Sequence, residues 1–183
     1  MMSYLCDASH SVLIIIDLQQ KLMPVIAEGE QVVTRASLLA QAARLLDIPV
    51  LGTAQQPLRL GPMVPAINAL LDRTIEKADF DACARPEFLD ALIALGSGRN
   101  ELILAGSEAH VCVLQTALGL LHRKYKVKLV SDAVGSRKPA DKAAALRRAQ
   151  VAGADIVTSE MVMFEWMRHS QHPQFKQILK LIK

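Results

Sequence analysis

The stretch that most constrains this chain is Ser11–Asp17, SVLIIID. Its apolar residues follow one another without the polar alternation of a half-exposed strand. Such a run is buried on both faces, which is the condition of a strand inside a parallel sheet. Parallel strands cannot be joined by tight hairpins and need long crossovers, usually helical. The following segment, Glu30–Asp47, supplies one: Val33, Ala36, Leu39, Ala40, Ala43 and Leu46 fall on one helical face. Further strands are predicted at Ile48–Thr53, Arg73–Lys77, Asn100–Gly106, Lys126–Val134 and Ala154–Glu160. Helices are predicted at Arg85–Gly96, Val111–Leu121, Pro139–Gly153 and His172–Ile182, with a Pro- and Gly-rich loop over Gln55–Pro65. Strands alternating with helices predict an α/β protein with a parallel sheet and right-handed crossovers.

The 183 residues fit a single domain spanning 1–183. With 51% hydrophobic and 21% charged residues, the chain has the composition of a globular protein rather than a disordered one. A net charge of +3 and 4% aromatic residues argue against a nucleic-acid partner. The longest N-terminal apolar run, Val12–Ile16, is too short for a signal peptide or a membrane span. Lysines on the C-terminal helix read as a solvated face, so no membrane partner is expected. Cys6, Cys83 and Cys112 cannot all pair within one chain and match no zinc spacing, which points to a reducing, cytoplasmic setting.

In open α/β sheets, ligands bind beyond the carboxyl ends of the strands. Asp17 ends the first predicted strand, Lys77 the third, and Cys112 follows the fourth by about one turn. A cysteine in the first turn of a helix faces unpaired N–H groups and the positive end of the helix dipole, and both favour the thiolate. A lysine ammonium nearby favours it further. Those same N–H groups suit a developing oxyanion. Gly106 permits a tight bend before the helix. Cys6 and Cys83 have no such setting and read as structural. Gln19, Gln55 and Phe80 lie near strand ends and are candidates to line a substrate pocket. No glycine-rich phosphate loop follows the first strand, so a nucleotide-binding domain is disfavoured.

The segments IIIDLQQK, EKADFDA, AGSEAHVCVLQTALGLL and SDAVGSRKPADKAAALRRAQVAGADIVTSE, together with FKQILKLIK at the end, resemble the isochorismatase-like cysteine hydrolases. They resemble in particular the metal-independent branch of isochorismatase-domain-containing proteins. The resemblance implies a three-layer, doubly wound sheet of six parallel strands in the order 3-2-1-4-5-6. It implies a catalytic triad falling on Asp17, Lys77 and Cys112. It further implies a cis peptide at Ser107–Glu108, with the backbone N–H groups of Glu108 and Cys112 forming an oxyanion hole. Position 107 is usually Val or Ile in the family, and Ser107 departs from that. The nicotinamidase branch binds a metal through an Asp-x-His motif after the second strand, whereas TAQQPLRLG stands here. No metal and no cofactor are therefore expected, and His10, His110, His122, His169 and His172 read as surface or capping residues.

The implied chemistry is hydrolysis of a small-molecule amide or related C–N substrate through a thioester, in a homo-oligomer. A free Asp near pKa ~3.9 is a poor base for a thiol near ~8.5, so burial must raise the acid or the thiolate must be preformed. The competing reading is a non-catalytic thiol redox sensor or an oligomeric scaffold, which would use Cys112 but has no need of Asp17 and Lys77 at matching strand ends.

Overall fold

In a computed structural model, which describes residues 5–183, the chain forms a six-stranded sheet in the order β3-β2-β1-β4-β5-β6. The first four residues of the predicted domain lie outside the described part. The strands are β1 (Ser11–Ile16), β2 (Val50–Gln55), β3 (Arg73–Lys77), β4 (Glu101–Ser107), β5 (Lys126–Gly135) and β6 (Asp155–Val157). Every strand pairing is parallel. The helices are α1 (Gly29–Leu45), the short α2 (Pro57–Leu60) and α3 (Pro65–Asn68), α4 (Pro86–Ala94), α5 (Leu114–His122), α6 (Pro139–Val151), α7 (Ser159–Met167) and α8 (Phe175–Ile182).

Strand periodicity divides the core in two. Leu13, Ile15, Val50, Ile103, Ala105 and Val130 point to one face and pack against α1, α7 and α8 through Ala36, Leu39, Ala40, Trp166 and Ile178. Val12, Ile14, Ile16, Leu51, Leu102, Leu104 and Leu129 point to the other, beneath Phe88, Leu92, Ala117, Leu120, Ala145 and Ala149 of α4, α5 and α6. All six residues of β1 are buried, as its unbroken apolar run requires. Each fully buried Ile or Leu stabilises the fold by about 1.5–3 kcal/mol, so the central strands anchor the rim on which the reactive residues stand.

Two of the differences from the sequence reading have a local cause. The last predicted strand, Ala154–Glu160, stops at Val157, and Thr158 caps a new helix by accepting the Met161 N–H at 3.3 Å. The cap outweighs the β-branched pattern of the preceding residues. The segment Gln55–Pro65 begins as the last residue of β2 and then turns through α2, because Pro57 sits at the start of that helix, where no N–H is needed.

Candidate active site

The switch point lies between β1 and β4, whose connections leave in opposite directions. Asp17 follows β1 immediately, with φ of 51° in the left-handed region. Its backbone is held there: its N–H donates to the Thr53 carbonyl at 3.1 Å, and its carbonyl accepts from the Gln19 N–H at 2.9 Å. The Ser107 hydroxyl adds a bond to the same carbonyl at 3.2 Å. The Asp17 side chain is completely enclosed, as is that of Lys77. Lys77 Nζ donates to Asp17 Oδ2 at 2.6 Å, and Thr53 Oγ1 donates to Asp17 Oδ1 at 2.7 Å. Lys77 starts two strands away, roughly 10 Å at about 4.8 Å per strand, and its long side chain bridges the gap.

Gln55 stands opposite Lys77 in the β2–β3 register. Its Oε1 accepts from Lys77 Nζ at 2.7 Å, while its Nε2 donates to the Ala78 carbonyl at 2.6 Å. Its backbone is clamped by Gln19, whose Oε1 accepts the Gln55 N–H at 2.8 Å and whose Nε2 donates to the carbonyls of Gln55 and Gly61 at 3.1 and 2.7 Å. Gln19 is fully buried and spends its amide on this backbone. Gln55 spends its own on Lys77 and Ala78. Phe80 stands apart from them, half exposed beyond β3.

Cys112 reaches the same place from β4. Gly106 has φ of 134°, and a Cβ there would lie 2.1 Å from the Ile16 carbonyl oxygen, so only glycine lets β4 close against the end of β1. The next peptide, Ser107–Glu108, is cis. A π-helical turn, Ala109–Val113, then leads into α5, with the Glu108 carbonyl accepting the N–H groups of Val111 and Val113, each at 3.1 Å. Cys112 therefore sits in a widened turn rather than the first turn of a regular α-helix. The Glu108 carboxylate is tied outward to Arg137 Nε at 2.7 Å.

The thiol of Cys112 is buried and interacts with both Asp17 and Lys77. Its pKa is pushed up to about 12, first by burial and then by the negative charge of Asp17, against the opposing pull of Lys77. This differs from the expectation of a favoured thiolate. Lys77 shares its charge with Asp17, and the enclosed carboxylate and lost hydration together outweigh the cation. Burial also raises Cys83, to about 12, and raises Cys6.

Among the described residues, no three His, Cys, Asp or Glu side chains are grouped as a metal site would need. His172 Nδ1 accepts the Gln174 N–H at 3.1 Å as a local cap, and His110 Nδ1 meets Ser136 Oγ at 3.0 Å. Among the described residues, no helix is long and apolar enough to cross a membrane.

Sequence reasoning did not single out Thr53, and it treated Gln55 as a pocket residue rather than a partner of Lys77. A threonine late in a strand is too common to stand out. Its signal exists only in register, where Thr53 pairs with Ile16 beside Asp17.

Comparison with known proteins gives the family and the fold. The isochorismatase domain matches residues 11–161. Isochorismatase domain-containing protein 2A of Mus musculus is 42% identical over 176 residues, covering 94% of this chain and 82% of its own. The Homo sapiens isochorismatase domain-containing protein 2 is 40% identical over 174 residues, covering 94% of this chain and 83% of its own. Among solved structures, the MAR1 ribonuclease from Caenorhabditis elegans superposes with a TM-score of 0.90 at 38% identity, over 97% of this chain and 91% of that one. YcaC from Pseudomonas aeruginosa, solved with hexane-2,5-diol and covalent acrylamide, gives 0.91 at 25% identity, over 99% of this chain and 93% of that one. The domain match spans most of the chain and the relatives cover nearly all of it, so this chain belongs to the isochorismatase domain family.

Proposed function

We propose that this protein is a cysteine-dependent hydrolase of a small amide or related C–N substrate, acting through a thioester. The observation that carries the reading is the fully enclosed Asp17–Lys77 pair, 2.6 Å apart, with both members acting on the thiol of Cys112. Enclosed charges of this kind are costly, and they cluster where protonation states must be controlled.

In this reading the resting thiol keeps its proton. When a substrate carbonyl enters, the Cys112 sulfur attacks the carbonyl carbon and the thiol proton passes to Asp17. The N–H groups of Glu108 and Cys112 receive the oxyanion. The C–N bond then breaks, and the amine leaves with the proton held by Asp17. Water attacks the thioester carbonyl and gives a proton to Asp17; the C–S bond breaks, and the sulfur takes that proton back. Lys77, bonded to Asp17 Oδ2, limits the build-up of negative charge in the site. A covalent acrylamide in the P. aeruginosa YcaC supports a nucleophile on this fold, since acrylamide is an electrophile.

The E. coli YcaC gene product is described as an octameric hydrolase of unknown specificity. The present chain leaves Leu58, Ile93 and Val151 at least 70% exposed. Both features support homo-oligomerisation, and sedimentation as a monomer at micromolar concentration would overturn that part of the proposal.

The test of function is a panel of small amides assayed for amine release, with Cys112→Ala alongside and with the protein exhaustively chelated. Hydrolysis that survives chelation and disappears in Cys112→Ala is the expected result. The name of the C. elegans relative makes RNA the necessary second substrate. RNA cleavage that persists in Cys112→Ala, or reversible peroxide oxidation of Cys112 with no turnover of any amide, would overturn the reading.

A further inference from the structure

We propose that Gln55 is a positioning residue: with Asp17 it fixes the Lys77 ammonium and so sets the direction of the third N–H, through which Lys77 supports the Cys112 thiolate. The proposal rests on the hydrolase reading of the same site and assigns a role that the triad alone leaves open.

An ammonium has three N–H donors on a freely turning head and must be oriented from outside. For Lys77 the count closes. One donor goes to Asp17 Oδ2 at 2.6 Å and one to Gln55 Oε1 at 2.7 Å. Among the described residues no other acceptor takes the third, which stays available on the head whose charge favours the Cys112 thiolate. With two directions of a tetrahedral head occupied, the third has no rotational freedom.

The Gln55 amide cannot turn over. Its Nε2 donates to the Ala78 carbonyl, an obligate acceptor, and its Oε1 faces an ammonium, an obligate donor. Reversing the amide would set a carbonyl against a carbonyl and an NH2 against a cation. The backbone of Gln55 is held by the buried Gln19 through both its N–H and its carbonyl. The chain of contacts therefore runs from Gln19 through Gln55 to Lys77 and Asp17, and its members are almost entirely enclosed.

The experiment follows iodoacetamide labelling of Cys112 by peptide mass spectrometry between pH 7 and 9, with Cys83 as the internal reference, in wild type, Gln55→Leu and Gln55→Met. Gln55→Leu removes the acceptor and frees the ammonium head. Gln55→Met keeps the length and neutrality of the side chain but offers the ammonium no strong acceptor. Cys112 labelling should slow about three- to tenfold in both, since a less supported thiolate is less populated, while Cys83 labelling stays unchanged. A merely structural role predicts the opposite sign, because a loosened fold exposes a buried thiol and speeds its labelling. Unchanged or faster labelling of Cys112 in the folded variants overturns the role of Gln55. If Gln55→Leu does not fold, the nearly isosteric and neutral Gln55→Met decides alone. Failure of the hydrolase reading is separate and is read on the wild type: without amide turnover dependent on Cys112, the site has no reaction for Gln55 to support.

Discussion

Replacing Lys77 by methionine should strip this protein of much of its stability. Methionine matches the length and apolar stem of lysine, so the loss falls almost wholly on the ammonium. Asp17 Oδ2 then loses a partner at 2.6 Å and Gln55 Oε1 one at 2.7 Å, both out of reach of water. Removing one member of a buried ion pair costs about 3–5 kcal/mol, and an orphaned amide oxygen adds about 1 kcal/mol, for a total of about 4–6 kcal/mol. Domains are stable by only about 5–15 kcal/mol, so this variant stands near the edge of folding. In urea, with a slope near 2 kcal/mol per molar, the midpoint should fall by about 2–3 M. The double variant Asp17→Asn, Lys77→Met removes the uncompensated charge and keeps the Thr53 hydroxyl bonded at position 17. It should recover most of the loss and return to within about 2 kcal/mol of wild type. A Lys77→Met variant within about 1 kcal/mol of wild type, or a double variant no more stable than the single, would show that Asp17 is not held as an enclosed anion and would refute the reasoning.

Alkaline pH should destabilise the fold through its thiols. Cys112 and Cys83 are raised from an ordinary value of 9.0 to about 12, so above pH 9 the unfolded chain releases protons that the folded chain retains. Stability is therefore complete below about pH 9 and is lost as pH climbs toward 12, by about 1.4 kcal/mol per cysteine between pH 8 and 10. Urea unfolding at those two pH values, repeated in Cys83→Ala, should show the slope decrease by one group. Gly106→Ala should prevent folding, since its Cβ would stand 2.1 Å from the Ile16 carbonyl oxygen at a φ of 134°; circular dichroism of the purified variant, with a destabilisation above about 4 kcal/mol expected, reads this directly. Thr53→Val should cost about 1–3 kcal/mol through the orphaned Asp17 Oδ1, and Thr53→Ser, which restores the hydroxyl, should recover most of it in the same unfolding assay.

The sequence by itself determined the layers of this fold. The unbroken run Val12–Ile16 can be satisfied only where both faces are covered, and the alternation with amphipathic helices leaves a parallel sheet between helices as the way to cover them. It also determined which reactive side chains reach the rim, because a residue just past a strand is placed by that strand whatever surrounds it. Asp17 and Lys77 were legible for that reason. The end of β6 was not, because a hydrogen bond from the Met161 N–H to Thr158 decided between two local conformations that the residues alone leave close in energy. Only the tertiary structure decided what the rim residues do to one another. Gln55, Thr53 and Gln19 are polar residues of ordinary kind in the sequence, and their roles arise from register across β3, β2 and β1, which local pattern does not encode. The state of Cys112 has the same origin. Local chemistry at a helix start favours a thiolate, but the pKa answers to every charge and to the water excluded around the sulfur. Those are set by elements distant along the chain, and enclosure beside Asp17 outweighs the cation that Lys77 brings.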